Sequence, residues 1–296
     1  MRRLSLVVTC TDRKAAAPEA SLHARSLPAG TVKERSALWK ERVESASVTH
    51  PLAELYCGDH WTQSRRLEAA ASKAGFDARL WVASAGLGLQ PVSESAPAYA
   101  ATFSTRHADS VATSTDGSAK WWGHLQDGTG RATLQELGNS GPVLLVLSEV
   151  YARAMTAELH ALGETASETL LFGGGEEIPG IHRVAADAGL RRALGGTLTS
   201  LNVRMAASWL QHCEDDRLTS KTTSDSWHEW AASASKPEQH NRKPMTDDEV
   251  ISFIRQQTAD QPGISRTRLL RLLRDSGRAC EQGRFANLYI RIMGER

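Results

Sequence analysis

The hydrophobic and polar positions of this chain form short apolar runs separated by longer stretches with helical spacing. Each apolar run ends in small, polar or glycine residues, as buried strands of a parallel sheet do where their connecting loops begin. The runs predict strands at Leu4–Val8, Ala78–Ala83, Val143–Leu147 and Glu168–Phe172. The stretches between them predict a helix over Val32–Val48 and one that follows Leu52–Trp61 and runs through Ala71. They also predict helices over parts of Trp121–Leu137, over Tyr151–Leu162 and over Ser200–Cys213.

This alternation of strands and helices predicts an α/β domain over residues 1–215. Its sheet should be open and mostly parallel, with helices on both faces, and a site would then lie beyond the carboxyl ends of the strands. Residues 15–31 and 104–120 show neither periodicity and are expected to be loops, and the second of these could border a pocket.

Beyond residue 215 the pattern changes twice. Residues 216–244 are rich in Asp, Ser, Thr, Lys and Pro, which predicts a linker with at most a short helix at Trp227–Trp230. Residues 245–296 then predict three helices: a capping box at Thr246–Glu249 opens the first, Ser265 caps the second, and the third runs from Glu281 to about Met293. Such a unit is typical of small all-α helix-turn-helix-like domains, although a helical docking module has the same pattern.

Charge is unevenly distributed along the chain. Between Pro262 and Arg296, eight arginines accompany three acidic residues, a net charge of +5 in a chain whose total is +1. An acidic body that carries a basic module favours contact with nucleic acid, here double-stranded DNA, although a solvated helix face can have the same composition. The candidate DNA-binding residues of this tail are Arg266, Arg268, Gln282, Arg284 and Asn287.

The remaining composition argues against several other classes of protein. No apolar run is long enough to cross a bilayer, and charged residues follow the short apolar N-terminus at once, so we expect a cytoplasmic protein without membrane contact. The cysteines form no CxxC pair, and the histidines show no metal-binding spacing. We expect no metal, no cofactor and no disulfide framework, and we predict no obligate protein partner.

The segment Cys10-Thr11-Asp12-Arg13-Lys14 follows the first predicted strand and carries residue types suited to catalysis. Asp12 could orient a water or stabilise a developing cation, while Arg13 and Lys14 could hold phosphates. The alternative is an ordinary surface turn with solvated charges.

The segment Tyr56-Cys57-Gly58-Asp59-His60-Trp61 is the second catalytic candidate. Tyr56 and Trp61 could stack an extruded base, and Asp59 or His60 could activate water. The alternative is a helix cap at Asp59 with both aromatic rings in the core. The sequence does not decide between Asp12 and Asp59 as the catalytic carboxylate.

Glycine-bearing segments follow the second and fourth predicted strands. In Ser84-Ala85-Gly86-Leu87-Gly88-Leu89, Ser84, Gly86 and Gly88 are candidates for base binding because glycine lets backbone amides approach a ligand closely. Gly173-Gly174-Gly175-Glu176-Glu177 permits a similar approach, with Glu176 as a further candidate base contact. Neither segment has the spacing of a dinucleotide fingerprint or a P-loop.

Several of these segments together resemble a known family. They are Val7–Lys14 (VVTCTDRK), Glu54–Gly58 (ELYCG) and Val82–Pro91 (VASAGLGLQP), with Tyr99 beyond. They resemble the α/β domain associated with 7-deazaguanine modification of nucleic acids, akin to the core domain of archaeosine synthase. That domain belongs to the wider uracil-DNA glycosylase-like fold, and the resemblance implies this fold for roughly residues 4–215.

Similarity to glycosylases of that fold implies roles for individual residues. Their first strand ends in a Gly-x-Asp-Pro motif whose Asp positions the attacking water, and Asp12 stands at the comparable place without the Gly and Pro. Ser84–Leu89 resembles their base-contacting segment, and Val143–Ala152 resembles their next strand and helix start. Their last motif carries a His where this chain has Gly173–Glu177, a departure that suggests a different base.

With the basic tail added, the chain resembles prokaryotic anti-phage DNA glycosylases, which remove glucosylated cytosines from phage DNA. The resemblance implies excision of a modified base, such as glucosylated hydroxymethylcytosine, to leave abasic sites. A monofunctional enzyme is expected, without a lyase step, because Lys14 is the only lysine placed near the crevice by the sequence. One alternative is a transferase that exchanges or elaborates a 7-deazaguanine base in DNA or tRNA. Another is a non-catalytic DNA-binding sensor.

Overall fold

A computed structural model describes residues 1–128, 132–236 and 243–294 of the chain. The chain divides into two compact units, Met1–Pro237 and Glu238–Arg296. Within the described ranges, no helix combines the length and the apolar character needed to cross a membrane.

The first unit is built on a six-stranded sheet in the part of the chain that is described. Its strands lie in the order β4-β3-β1-β6-β7-β8, with β4 antiparallel to β3 and every other neighbouring pair parallel. The strands of this unit are β1 (Arg2–Thr9), β2 (His50–Pro51), β3 (Phe76–Ser84), β4 (Gly88–Pro91), β5 (Ser95–Ala96), β6 (Val143–Leu147), β7 (Thr169–Gly173) and β8 (His182–Val184). Strands β2 and β5 form a separate antiparallel pair.

Helices cover this sheet, and the first of them begins with the reciprocal capping box of Thr31 and Glu34. Helix α3 packs against α9, α1 against α4, and α5 against α7. The α-helices of the unit are α1 (Val32–Glu44), α2 (Leu52–Leu55), α3 (Asp59–Lys73), α4 (Thr115–Gln126), α5 (Leu134–Ser140), α6 (Glu149–Ala154), α7 (Thr156–Thr165), α8 (Arg191–Leu194), α9 (Leu201–Gln211) and α10 (Lys221–Ala234). Short 3₁₀ helices lie at Ala20–Leu22, Ala24–Ser26, Ala188–Leu190 and Leu198–Ser200.

The apolar runs of the sequence become the central strands of the sheet. Every residue of β6 and of β7 is buried, as is β1 from Leu4 onward. A strand covered on both faces must be apolar throughout, so these strands read as continuous runs rather than as alternating patterns. The predicted α/β class, with a mostly parallel sheet flanked by helices, is therefore confirmed.

Local predictions were wrong in places where a distant partner decides the structure. Gly88 and Leu89, expected to belong to the loop Ser84–Leu89, instead begin the edge strand Gly88–Pro91, which pairs antiparallel with β3. The segment 104–120, expected to be a loop throughout, already contains the first turns of α4, which Ser114 caps. The predicted helical stretch around Trp121–Leu137 is divided between α4 and α5, and residues 129–131 within it lie outside the described residues.

The predicted linker over residues 216–244 needs a larger correction. Helix α10 occupies Lys221–Ala234 within it and packs onto the first unit through Trp227, which is 3% exposed. The Trp227 and Trp209 rings lie 5.3 Å apart between centroids, and the Thr219 backbone amide donates to Glu168 at 2.7 Å. The first unit therefore extends well beyond residue 215, and the linker residues 237–242 lie outside the described residues.

The second unit contains three α-helices within residues 243–294: α11 (Asp247–Asp260), α12 (Arg266–Asp275) and α13 (Gln282–Gly294). The capping box of Thr246 and Glu249 and the Ser265 cap form as predicted. Strands β9 (Lys243–Pro244) and β10 (Arg278–Ala279) pair in parallel beside them. The helices enclose a separate core that includes Val250, Ile254, Leu269, Leu273, Phe285, Leu288 and Ile292. The last residues of the predicted tail, 295 and 296, lie outside the described residues.

Candidate active site

The sheet has a topological switch point between β1 and β6. Numbered by chain order, its parallel strands lie in the order 2-1-3-4-5, so the connections from β1 and β6 diverge to opposite sides. In open α/β sheets such a point opens a crevice at the carboxyl ends of the strands, where ligands bind. Cys10 follows β1 and Tyr151 lies in the helix after β6, and Cys10 Sγ is 3.0 Å from Tyr151 Oη. These two side chains span the switch point.

A chain of buried hydroxyl groups lies at the end of β3, near this switch point. Tyr99 Oη is 2.5 Å from Ser84 Oγ and 2.8 Å from Tyr56 Oη. Ser84 Oγ also accepts the backbone amides of Gly86 and Leu87, both at 3.1 Å. Because those amides occupy both lone pairs of the Ser84 oxygen, its proton is left to donate to Tyr99, which in turn donates to Tyr56.

Lys14 covers the tyrosine rings at the same edge of the sheet. Its Nζ lies 4.2 Å from the centroid of the Tyr99 ring and 5.7 Å from that of Tyr56. It donates to the backbone carbonyl of Thr11 at 3.1 Å and to that of Asp12 at 3.4 Å. An isolated bridge between Lys14 and Tyr56 fixes the backbone that brings the side chain here. We call Cys10, Lys14, Tyr56, Ser84, Tyr99 and Tyr151 the strand-end cluster.

Burial perturbs the ionisable groups of the strand-end cluster. It lowers the pKa of Lys14, and the smaller opposing influence of the Cys10 thiol does not reverse this. It raises the pKa of Tyr56, Tyr99 and Tyr151, with Cys10 adding to the effect at each. The crevice therefore favours neutral hydroxyls and increases the neutral amine fraction of Lys14.

The loop after β3 is held in place by buried aromatic residues. The Trp39 indole donates to the Gly86 carbonyl at 2.7 Å, and the Trp121 indole donates to the Ala85 carbonyl at 2.8 Å. A Cβ on Gly86 would lie 2.5 Å from the Tyr99 ring. The predicted base-binding residues Ser84 and Gly86 thus hold Tyr99 in place.

Gly88, the third base-binding candidate of that loop, has a different structural role. It is the first residue of β4 and pairs with Ser84 across the β3–β4 turn. Its φ of +73° lies in the left-handed region, which glycine adopts without strain. The turn therefore accounts for the presence of glycine at this position, and contact with a base is not needed to explain it.

Tyr56 and Trp61 do not present free ring faces for stacking. They are 2% and 4% exposed, and their ring centroids lie 4.9 Å apart in an edge-to-face arrangement. The Trp61 indole donates to the Ala53 carbonyl at 3.0 Å. The predicted stacking role is not supported by this packing, which matches the alternative of core aromatics, although Tyr56 still contributes its hydroxyl to the strand-end cluster.

Asp59 and His60 are held by structural partners. Asp59 Oδ2 accepts from Ser200 Oγ at 2.6 Å, and its Oδ1 accepts from Arg204 Nη2 at 2.8 Å. The Ser200 hydrogen bond and the Arg204 charge hold the pKa of Asp59 below its ordinary value. His60 Nε2 donates to the Thr9 carbonyl at 3.2 Å, and burial lowers its pKa. Asp59 therefore joins α3 to α9, which weakens its case as the catalytic carboxylate.

Asp12 and Arg13 lie at the solvent-facing rim of the crevice. The Asp12 side chain is 70% exposed, and its Oδ1 is 3.8 Å from His107 Nε2. Arg13 is exposed, while its carbonyl accepts from the Cys57 amide at 3.1 Å. Asp12 is thus available to a ligand, whereas Asp59 is engaged.

The glycine segment after β7 is fixed by close backbone packing. A Cβ on Gly173 would lie 2.3 Å from the Leu147 carbonyl oxygen, and the φ of this residue is +91°. Glu177 pairs with Arg183 at 2.7 Å, and Arg183 also donates to the Gly173 carbonyl. Glu176, the predicted base contact, is exposed to solvent.

A cleft of about 350 Å³ lies on the β6 side of the crevice. Phe103 lines it and packs edge-to-face against Tyr151, with ring centroids 4.9 Å apart. Arg106 and Arg153 also line the cleft, and Arg153 is paired with Glu149 at 2.5 Å. Hydroxyl-bearing residues complete the lining, namely Ser104, Thr105, Thr115 and Ser118.

In the second unit, the predicted DNA-binding residues fall into two groups. Arg266, Arg268, Gln282 and Asn287 are exposed. Arg284 instead donates through Nε to Asp247 at 2.6 Å, and this contact joins the start of α13 to that of α11. Arg284 therefore stabilises the helical unit in this arrangement rather than projecting freely.

Sequence reasoning missed three members of the strand-end cluster. Cys10 was considered only as part of the segment Cys10–Lys14, and Tyr99 only as part of the family resemblance. Tyr151 was not considered as a site residue at all. Each of the three residues lies within a few positions of a strand end, and this closeness was the feature of the sequence that could have marked them as site residues. Their convergence depends on the sheet order, which the sequence pattern does not specify.

Within the described ranges, no group of three or more His, Cys, Asp or Glu residues is arranged to hold a metal ion. A scan of protein-family models finds no match to the chain, and neither the curated proteins nor the solved structures include one with significant similarity. We therefore infer the function from the geometry of the site.

Proposed function

We propose that the chain is an enzyme that cleaves the N-glycosidic bond of a modified base in DNA, and that its first unit has a uracil-DNA glycosylase-like fold. The observation that carries this proposal is the strand-end cluster at the switch point. A desolvated amine, a thiol and linked hydroxyls beside a crevice are typical of sites that perform chemistry.

Asp12 is the proposed carboxylate of the reaction. Cleavage of an N-glycosidic bond leaves positive charge on the sugar, and a nearby carboxylate stabilises that charge or positions the attacking water. The exposed side chain of Asp12 stands at the rim of the crevice, whereas the ion pair with Arg204 restrains Asp59. This difference supports Asp12 over Asp59.

The cleft beside Tyr151 is the proposed place for a nucleotide. Its volume of about 350 Å³ falls within the usual range for ligand pockets. Arg106 offers charge to phosphates, and the hydroxyls of the lining offer hydrogen bonds to a polar base substituent. These features suit a bulky, glycosylated base in a strand of DNA.

The second unit is proposed to bind duplex DNA in the manner of a helix-turn-helix domain. Arg266, Arg268 and Arg271 are exposed on α12, and Gln282 and Asn287 are exposed on α13. Arginines on one helix attract the phosphate backbone, and polar side chains on the next could contact base edges.

The test is a base-release assay on phage DNA that contains glucosylated hydroxymethylcytosine, with unmodified DNA as control. Mass spectrometry detects the released base, and alkali treatment reveals abasic sites. We expect release from the modified DNA only, loss of release in Asp12→Asn, and retained release in folded Asp59→Asn.

Other outcomes of this assay would contradict the proposal in different ways. No release from either DNA would contradict the proposed substrate. Release that requires an added free base or amine would indicate the base-exchanging transferase instead. Loss of activity in Asp59→Asn but not in Asp12→Asn would reverse the assignment of the carboxylate.

A further inference from the structure

The amine of Lys14 is held in one place at the switch point. Its backbone pairs with Tyr56 in a bridge, and the adjacent Ala15 amide donates to the Leu55 carbonyl at 2.8 Å. The side chain then lies over the Tyr99 ring, with Nζ 4.2 Å from the centroid. A positioned amine loses little conformational entropy when it reacts, which is a requirement for efficient covalent catalysis.

The hydrogen bonds of Lys14 engage only its N–H groups. Nζ donates to the carbonyls of Thr11 and Asp12. A neutral amine has two N–H bonds and one lone pair, so these carbonyls can take both hydrogens and direct the lone pair elsewhere. Burial also lowers the pKa of this amine, which increases the fraction that carries a lone pair near neutral pH.

We propose that Lys14 is the covalent nucleophile of the proposed glycosylase and forms a Schiff base with the deoxyribose of the target nucleotide. This inference rests on the proposed function and deepens it. It also replaces the expectation of a monofunctional enzyme, because a Schiff base on the sugar opens a route to strand cleavage.

The bonds of this step balance without any further reactant except water. Lys14 Nζ attacks C1′, the N-glycosidic bond breaks, and the base leaves with the electron pair and takes up a proton. One proton passes from the attacking amine to O4′ as the C1′–O4′ bond opens, which frees the 4′-hydroxyl and leaves a protonated imine, the reactive iminium, between Nζ and C1′. Water then releases the abasic sugar and regenerates Lys14, or loss of the C2′ proton eliminates the 3′ phosphate and cleaves the strand.

A structural role for Lys14 makes a different prediction about substitutions. If Lys14 only places a cation over the tyrosine rings, Arg should replace it well, because guanidinium groups pack favourably on aromatic faces. If Lys14 is the nucleophile, Arg cannot replace it, since the guanidinium stays protonated and forms no Schiff base. The Lys14→Arg variant therefore separates the two roles.

The test uses the full-length protein and an oligonucleotide duplex that contains one preformed abasic site. Borohydride reduces a Schiff base to a stable secondary amine, which gel electrophoresis detects as a cross-linked complex and peptide mapping assigns to a residue. We expect a cross-link on Lys14 that increases as the pH rises through the lowered pKa. The cross-link should fall to background in Lys14→Arg and persist in Lys73→Met, whose lysine is exposed at the end of α3.

The mapped adduct of the wild-type protein decides the question even if a Lys14 variant fails to fold. An adduct on the Met1 amine or on another lysine would overturn the proposal, as would a full-strength cross-link in Lys14→Arg. Absence of any cross-link, together with normal base release from modified DNA, would overturn the role of Lys14 and leave the proposed function intact. A cross-link on Lys14 without base release would support the nucleophile and contradict the proposed substrate.

Discussion

Two charged clusters lie near the ends of the strands, and they differ in how their charge is balanced. Asp59 has a hydrogen bond from Ser200 and an ion pair with Arg204, so its pKa falls and its charge is stabilised. Lys14 has backbone carbonyls and aromatic rings around it, and burial lowers its pKa. In the first cluster the hydrogen bond and the ion pair stabilise the charged carboxylate. In the second, desolvation outweighs the carbonyl and ring contacts and disfavours the charged amine.

This difference separates a structural role from a chemical one. An ion pair such as that of Asp59 and Arg204 joins two helices, and the folded protein loses stability when either partner is removed. A desolvated lysine at a switch point costs stability when it is charged and gains reactivity when it is neutral. The sequence predicted a catalytic role for both segments, Cys10–Lys14 and Tyr56–Trp61. Only the contacts that each segment makes in the folded chain distinguish them.

The largest expected effect is on activity in Lys14→Met. Loss of a covalent nucleophile should reduce base release by a factor on the order of 10³ or more. The melting temperature at neutral pH should stay the same or rise, because the variant removes an ionisable group whose charged form burial disfavours. Base release and thermal unfolding measured on the same preparation check both parts, and a strongly destabilised variant would indicate that Lys14 is structural.

A steric change should break the strand-end cluster without altering any polar group. Gly86→Ala places a Cβ 2.5 Å from the Tyr99 ring and should displace the hydroxyl chain. Such overpacking should lower the free energy of unfolding by about 1–3 kcal/mol. The matched control is Gly123→Ala, since its Cβ would meet nothing within 4 Å on the exposed side of α4. That control should raise the stability by about 0.5–1 kcal/mol, and equal stability of the two variants in urea unfolding would contradict the packing argument.

A smaller effect on stability is expected in Asp59→Asn. Because the Asp59 side chain is 37% exposed, solvent screening limits the expected loss to about 1 kcal/mol. The lowered pKa of Asp59 means that its contribution is present at neutral pH and is lost as the pH falls through the folded-state pKa. Unfolding measured from neutral to acidic pH should show wild type and variant converging in acid, and a constant difference would contradict the ion-pair account.

The smallest effect is expected on DNA affinity in the second unit, where exposed arginines contrast with the ion-paired Arg284. Arg266→Ala and Arg268→Ala should each weaken DNA binding across all sequences and reduce the salt dependence of the affinity by about one unit of slope. Arg284→Ala should mainly lower the melting temperature, because it removes the partner of Asp247. Binding measured by fluorescence anisotropy at several salt concentrations tests this, and an unchanged slope in Arg266→Ala would contradict a phosphate contact.

The sequence predicted much of the architecture because apolar runs and helix caps are local signals. The strand at Val143–Leu147 and the caps at Thr246 and Ser265 are cases in which a few neighbouring residues suffice. Helix α10 was read as a linker because its polar composition hides Trp227, whose partner Trp209 belongs to another helix. Composition cannot indicate such a partner.

The candidate site was less predictable, since its members come from distant parts of the chain. Tyr151 reaches Cys10 across 141 positions, and Ser200 reaches Asp59 across the same separation. No local pattern states which strand will lie beside β1. The segments with chemically useful residues could be found, but the fold decided that Lys14 lies over Tyr99 and that Asp59 is paired with Arg204.

The most direct measurement of the central claim is borohydride trapping on intact DNA that carries glucosylated hydroxymethylcytosine, with no preformed abasic site. A covalent adduct can form on this DNA only if the base is removed and an amine attacks the sugar. We expect an adduct that maps to Lys14, and no adduct with unmodified DNA. Base release from the modified DNA without any adduct, or an adduct on a different amine, would contradict that claim.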